Sequence, residues 1–281
     1  GLAVDGYIEG GQIFVQAENG TRTLVGRTGD KGQFIGLDNT PGLKLTEAQS
    51  KLVLVLTGGT DTGDGDQDLG ANTLTLTAPP GSSVISPLTT LVVALKEKNG
   101  DISFEQAEKQ IKQAFGIPDS TDLNTLDPVT GEIIGSEDGS ASAAVALEAL
   151  QAGAAVNQIL FAVLGATANS GVDQEDVIAS LLDALEDAGG ELSPAALALA
   201  AVGDLDLNDL TKIALQKAIA DDLKAIEDAT SVDGTFTAQQ DAENSPTPVV
   251  TIGEAEPAGE LVFGETTIGV EGGLLTVTSG E

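Results

Sequence analysis

Over residues 1–85 the hydrophobic positions fall in short runs broken by turn residues. Leu2-Ala3-Val4, Tyr7-Ile8, Gln12 to Val15, Thr23 to Val25, Gln33 to Ile35, Leu52 to Leu56 and Thr73 to Thr77 are rich in β-branched and aliphatic side chains. Gly-Gly, Glu-Asn-Gly, Gly-Asp-Lys-Gly and Pro-Gly separate them. Such spacing predicts a series of short strands joined by tight turns, the pattern of a sandwich. Thr73 to Thr77 alternates threonine with leucine, as a strand with one solvated face does.

At Ser86 the period changes from two to about 3.6. Ser86-Pro87 reads as an N-cap followed by proline in the first turn, and Leu88, Leu91, Val92 and Leu95 follow at helical spacing. Ser103 with Gln106 forms a capping box for a helix ending at Phe115-Gly116. Ser140 or Ser142 opens an alanine-rich helix to about Ala168. Asp173 with Asp176 opens another, closed by Gly189-Gly190. Ser193-Pro194 starts a short helix, and Asn208 starts a last one running to about Thr230. Residues 86–232 are therefore expected to form an α-helical bundle, antiparallel because the loops are short.

Residues 233–248 are polar, contain two prolines and read as a linker. Residues 249–281 return to the strand pattern, at Val249 to Ile252, Glu260 to Phe263, Thr266 to Val270 and Leu274 to Thr278. A few short strands are marginal alone in water, so this tail must pair with something. It either completes the N-terminal sheet of its own chain or joins the sheet of a neighbouring copy. The second arrangement propagates into a fibre. Val270, Leu275 and Val277 are the side chains expected to seat in such an assembly. The fold class is thus α+β: an antiparallel β-sandwich of N- and C-terminal strands with an inserted helical bundle.

Composition narrows the chemistry. The 281 residues carry 12 Lys and Arg against 44 Asp and Glu, a net charge of −32, and contain no Cys and no His. Disulfides, thiolate or imidazole metal sites, a cysteine nucleophile and a Ser-His-Asp triad are excluded. Nucleic acid is not an expected partner, because phosphate binding needs clustered Lys and Arg. No stretch reaches the ~18 uncharged apolar residues of a membrane crossing, and the longest apolar-rich run, Ala141 to Ala168, is interrupted by Glu148 and Asn157. Such acidity brings strong self-repulsion, which salt or bound divalent cations would offset. With so many carboxylates, any acid pair suited to glycoside hydrolysis arises by chance, and the aromatic residues that stack on sugars are few. A non-enzymatic protein is expected.

Three acid-rich loops stand out. Asp61, Asp64, Asp66 and Asp68 alternate with glycine and threonine, as suits a loop wrapping a hard cation such as Ca²⁺, or else a solvated acidic loop. The spacing is not that of an EF-hand. Asp119, Asp122 and Asp127 form a second, weaker candidate, which N-caps and Asx-turns explain better. Asp204, Asp206, Asn208 and Asp209 sit at a helix start, where acids favour the helix dipole.

Residues 1–95 also resemble a known module. Val4-Asp5-Gly6-Tyr7-Ile8-Glu9-Gly10-Gly11-Gln12-Ile13-Phe14-Val15 is similar to its opening strand pair. Thr28 to Phe34 fits the T-x-x-x-G-x-F turn of prealbumin-like sandwiches. Gly58-Gly59-Thr60-Asp61, followed by Leu76-Thr77-Ala78-Pro79-Pro80-Gly81-Ser82-Ser83-Val84-Ile85-Ser86-Pro87-Leu88-Thr89-Thr90-Leu91, resembles the joint between sandwich and first helix. The module is the β-sandwich-plus-helix unit of large secreted bacterial surface proteins and adhesins. The resemblance implies an exported, often calcium-dependent, adhesive or matrix-forming protein. Tandem sandwich repeats and Gly-Gly-x-Gly-x-Asp repeats are missing, which favours a standalone building block.

The first residue is Gly rather than Met, which fits a removed signal peptide or an excised fragment. The expected protein is secreted to the cell surface or beyond it. It is a subunit of an extracellular fibre, sheath or surface layer, of the biofilm-matrix kind, homo-polymeric through its C-terminal strands and supported by Ca²⁺. The alternative is a monomeric, calcium-dependent domain that contacts a glycan or a cell surface.

Overall fold

The computed structural model describes residues 1–65, 69–136, 139–168, 171–189, 192–205, 207, 209–244, 260–263, 266–271 and 274–279. In chain order the strands are β1 (Leu2–Ala3), β2 (Ile8–Glu9), β3 (Gln12–Gln16), β4 (Arg22–Thr28), β5 (Phe34–Gly36), β6 (Val53–Thr57), β7 (Thr60–Asp61), β8 (Gly70–Ala71), β9 (Thr75–Ala78) and β10 (Val84–Ile85). The helices are α1 (Pro87–Lys98), α2 (Phe104–Ala114), α3 (Ala143–Ala166), α4 (Gln174–Ala188), α5 (Pro194–Asp204), α6 (Asp209–Glu227) and α7 (Val232–Asn244). Strands β11 (Glu260–Phe263), β12 (Thr266–Glu271) and β13 (Leu274–Ser279) follow. The chain is α+β, with several antiparallel sheets.

The main sheet has five strands in the order β5-β4-β3-β6-β9, all antiparallel. Alternation puts Ile13 and Val15 of β3, Leu54 and Leu56 of β6 and Leu76 of β9 into the core. A two-stranded parallel pair, β1-β10, and a small sheet, β2-β7-β8, accompany it.

Neither edge of the main sheet is open. Along β9, the Gln174 side chain accepts from the Thr75 N–H at 2.9 Å and donates to the Thr75 carbonyl at 2.7 Å. The Thr77 N–H donates to Thr90 Oγ1, and the Thr77 carbonyl accepts from Thr89 Oγ1, both at 2.8 Å. Along β5, the Phe34 N–H donates to the Gly1 carbonyl, and the Phe34 carbonyl accepts from Gly42 N–H. Helix side chains and loop backbone thus stand where another strand would pair, the standard defence against edge-to-edge association.

Five of the helix starts follow the sequence signals, whereas Asn208, expected to open α6, lies outside the described residues. Ser86, Ser103, Ser142, Asp173 and Ser193 each cap the backbone three residues on. Ser86, Ser103 and Asp173 form reciprocal capping boxes with Thr89, Gln106 and Asp176. Gly189 ends α4 with φ of 61°, the left-handed conformation that glycine takes without strain. One continuous apolar core runs from the sheet through Leu91, Ile111, Ile159, Leu181, Leu197 and Leu223. Among the described residues, α3 is the one helix long and apolar enough to cross a membrane, despite its interrupting Glu148 and Asn157. Most of that stretch is buried inside the protein, as the central helix of the bundle.

Two regions differ from the sequence reading. The stretch expected as a linker holds a helix, α7, over Val232–Asn244. The cause is Phe236, fully buried and packed with Leu69 and Leu150. Burying a phenylalanine contributes about 1.5–3 kcal/mol, and Thr235, Gln239 and Ala242 are buried beside it on the same helix. The second difference is the tail. β11, β12 and β13 form a three-stranded antiparallel sheet of their own. Among the described residues they pair with no strand of residues 1–85. The register sets Val270 opposite Leu275 and Ile268 opposite Val277. The strand expected at Val249 to Ile252 lies outside the described residues.

Candidate functional site: a buried carboxylate cavity

The Asp61 loop is built by main-chain hydrogen bonding. β7 pairs with β2, Ile8 opposite Asp61, and with β8, Asp61 opposite Gly70. The preceding tight turn, Val4 to Tyr7, is stitched to the same loop. The Tyr7 N–H donates to the Gly63 carbonyl and the Tyr7 carbonyl accepts from Thr62 N–H, both at 2.8 Å. Asp61 Oδ1 accepts from the Gly63 N–H at 2.8 Å. Gly6 must be glycine here, because a Cβ would come within 2.5 Å of Asp61 Oδ1 and 2.6 Å of Gly63 Cα.

This arrangement turns two carboxylates inward. Asp5 is 6% exposed and Asp61 7%. A third, Glu243, reaches them from the last turn of α7. Together they line a small cavity of about 20 Å³, whose wall also includes Leu69, Leu74, Asn157 and Phe161. Gln239, one turn earlier on α7 and fully buried, donates through Nε2 to the Asp5 carbonyl at 3.4 Å and to Glu243 Oε1 at 3.3 Å.

The electrostatics are one-sided. Burial raises the Asp5 carboxyl well above its ordinary range, and the charges of Asp61 and Glu243 add to that. Burial pushes Asp61 up to about 7; the Gly63 hydrogen bond opposes this and Glu243 reinforces it. Glu243 is raised by burial, with the Gln239 hydrogen bond acting against it. Among the described residues none of the ion pairs involves any of the three. Two acceptor oxygens, Asp5 Oδ1 and Gln239 Oε1, are buried without a hydrogen-bond partner.

Of the four acids expected to wrap a cation, Asp61 is buried at this cavity and Asp64 is half-buried in the turn beyond it. Asp66 and Asp68 lie outside the described residues. Asp5, Glu243 and Gln239 were not legible as partners of Asp61. The one local signal was an aspartate between Val4 and Gly6 in an otherwise apolar run.

The second acid-rich loop has other work. Lys112, 7% exposed, donates to the carbonyls of Asp119 at 2.9 Å and Thr121 at 2.5 Å. It also pairs with the buried Glu108 at 3.4 Å. The lysine ammonium therefore stands where a cation would gather those carbonyls. Asp119 pairs with Lys109 at 3.6 Å. Asp122 accepts from Asn124 N–H at 2.9 Å and from Thr125 Oγ1 at 3.0 Å. Asp127 accepts from the Tyr7 hydroxyl at 2.7 Å, Val129 N–H at 2.9 Å and Thr130 Oγ1 at 2.8 Å. Asp122 and Asp127 each close their own turn, and the Asp119 carboxylate is paired with Lys109.

Comparison with protein-family models, with curated proteins and with solved structures finds no match to this chain. The cavity is therefore read from its own chemistry. Its donors are all oxygen, the set that calcium and magnesium prefer over zinc. Among the described residues no three such side chains already converge as a ready-made metal-ligand group.

Proposed function

We propose that this chain is an extracellular structural building block whose copies associate through the C-terminal strands. The observation that carries the reading is the sheet β11-β12-β13. It pairs only within itself among the described residues, which leaves the outer edges of β11 and β13 unpaired. An unpaired edge is a template for a strand of another copy. The edges of the five-stranded sheet are already taken, at Thr75, Thr77 and Phe34. That favours pairing between the C-terminal sheets of separate copies over insertion into the main sheet. Val270, Leu275 and Val277 lie on β12 and β13 and are the positions that would set the register of such pairing.

The finer architecture belongs to this reading. The main sheet, with β1-β10 and β2-β7-β8 beside it, is taken as a sandwich carrying the helical bundle. Ala3, Ile8 and Ile85 of the small sheets share the core with Ile13 and Leu54 of the large one, which supports that arrangement. The net charge of −32 makes close approach of copies dependent on screening or on bound cations.

Sedimentation velocity tests the proposal. The full chain is expected to form species larger than a monomer as concentration rises. A chain carrying prolines at Leu275 and Val277, which removes two N–H donors from β13, is expected to stay monomeric. Monomers at all concentrations for the unaltered chain would favour the adhesive-domain reading and move the search to glycan and cell-surface ligands.

A further inference from the structure

We propose that the cavity between the Asp61 loop and α7 takes one divalent cation of the calcium class, held by the carboxylates of Asp5, Asp61 and Glu243. The inference stands apart from self-association and does not rest on it.

Four observations lead there. The cavity, at about 20 Å³, has room for one water-sized or ion-sized occupant. Three carboxylates line it, and no lysine or arginine pairs with them among the described residues. A buried carboxyl is paired, coordinates a metal or takes up a proton to become neutral. Asp5 Oδ1, on a side chain more than nine-tenths buried, has no hydrogen-bond partner. Finally, Gln239 Oε1 is also orphaned, on a fully buried side chain whose amide nitrogen already bonds Glu243 and the Asp5 carbonyl. An amide oxygen cannot satisfy itself by taking up a proton. It needs a donor or a cation, directly or through a bound water.

The ligand class follows from the donors. Carboxylate and amide oxygens without nitrogen or sulfur suit a hard cation. Calcium accepts an irregular set of about six to eight oxygens, so three carboxylates completed by amide oxygen and water are within its habits. The three carboxylates come from three separate segments: the loop after β1, strand β7 and the end of α7. They line the cavity without yet converging. The cation therefore works as a clasp, holding α7 onto the N-terminal loops against the mutual repulsion of the acids.

Thermal unfolding of the full chain tests this, in chelator and then with calcium, at ionic strength matched by potassium chloride. Calcium is expected to raise the midpoint saturably, with one site by calorimetric titration. Asp5→Asn and Glu243→Gln, which keep shape and remove charge, are each expected to weaken binding at least tenfold. Asp64→Asn is expected to leave it unchanged. Loss of binding in Asp64→Asn with retention in the other two would place the ion on the outer loop and overturn the proposal. So would the absence of any saturable shift beyond the matched salt. Should a variant not fold, terbium luminescence of the unaltered chain provides the second readout. Tyr7, the only tyrosine, lies two residues from Asp5 and serves as the sensitiser. Saturable emission displaced by calcium supports the site, and its absence overturns it.

Discussion

Gln239 on α7 donates to the main-chain carbonyl of Asp5 at 3.4 Å, joining residues 234 positions apart. The contact ties α7, the last helix among the described residues, to the turn after β1, beside three carboxylates and a cavity.

The apolar half of that tether is Phe236. Replacing it with alanine is expected to cost about 3–5 kcal/mol, the range for deleting a buried aromatic ring. Because Leu69, Leu150 and Val232 surround it, the loss should fall mainly on α7. Limited proteolysis is expected to cut Phe236→Ala within 232–244 while sparing residues 86–188. Resistance equal to that of the unaltered chain would contradict the packing argument.

The acidic half makes stability depend on pH in chelator. Asp61 has an ordinary value of 3.8 and is pushed up to about 7 in the folded protein. Asp5 and Glu243 are raised in the same direction. The folded state then binds more protons than the unfolded state between about pH 4 and 7. The contribution of Asp61 is complete below about pH 4 and is lost as pH rises through 7, and Asp5 and Glu243 act in the same direction. Urea midpoints across that window, with the other acids common to all variants, are expected to fall more steeply in the unaltered chain than in Asp61→Asn. Parallel slopes would show that Asp61 is not buried as described.

The Lys112 knot gives a prediction independent of the cavity. Lys112→Met leaves Glu108 buried without its partner and frees the carbonyls of Asp119 and Thr121. Removing one member of a buried ion pair costs about 3–5 kcal/mol. Chemical denaturation measures this directly, and a loss below about 1 kcal/mol would contradict the burial seen here.

Gln174 guards the β9 edge. Its replacement by alanine strips both hydrogen bonds from Thr75. The expected cost is about 1–3 kcal/mol, with an increased tendency to associate through the exposed edge. Gel filtration showing Gln174→Ala no more associated than the unaltered chain would mean that Thr89 and Thr90 alone keep that edge closed.

Much of the fold was legible because its signals are local. Ser86-Pro87, Ser103 with Gln106 and Asp173 with Asp176 each bond within one turn, so the sequence order holds the whole motif. The strands of residues 12–57 were legible for the same reason, from alternation and turn residues. α7 was not, because its order comes from Phe236 meeting Leu69 and Leu150 across the fold rather than from its own polar sequence. The carboxylate cavity was half legible. Asp61 announced itself in an acidic loop, whereas Asp5 and Glu243 become neighbours only when α7 docks. The Asp119 loop reads in the sequence as turns and caps rather than as a cation site, but the place of Lys112 on its carbonyls is not legible there, since a lysine seven residues away carries no local mark of its target.

The central claim, that copies meet through β11 to β13, is tested most directly by amide hydrogen exchange at rising protein concentration. The account predicts growing protection within 260–263 and 274–279, with β5 and β9 unchanged. Protection that is independent of concentration at the C-terminal strands, or that grows instead along β5 or β9, would contradict it.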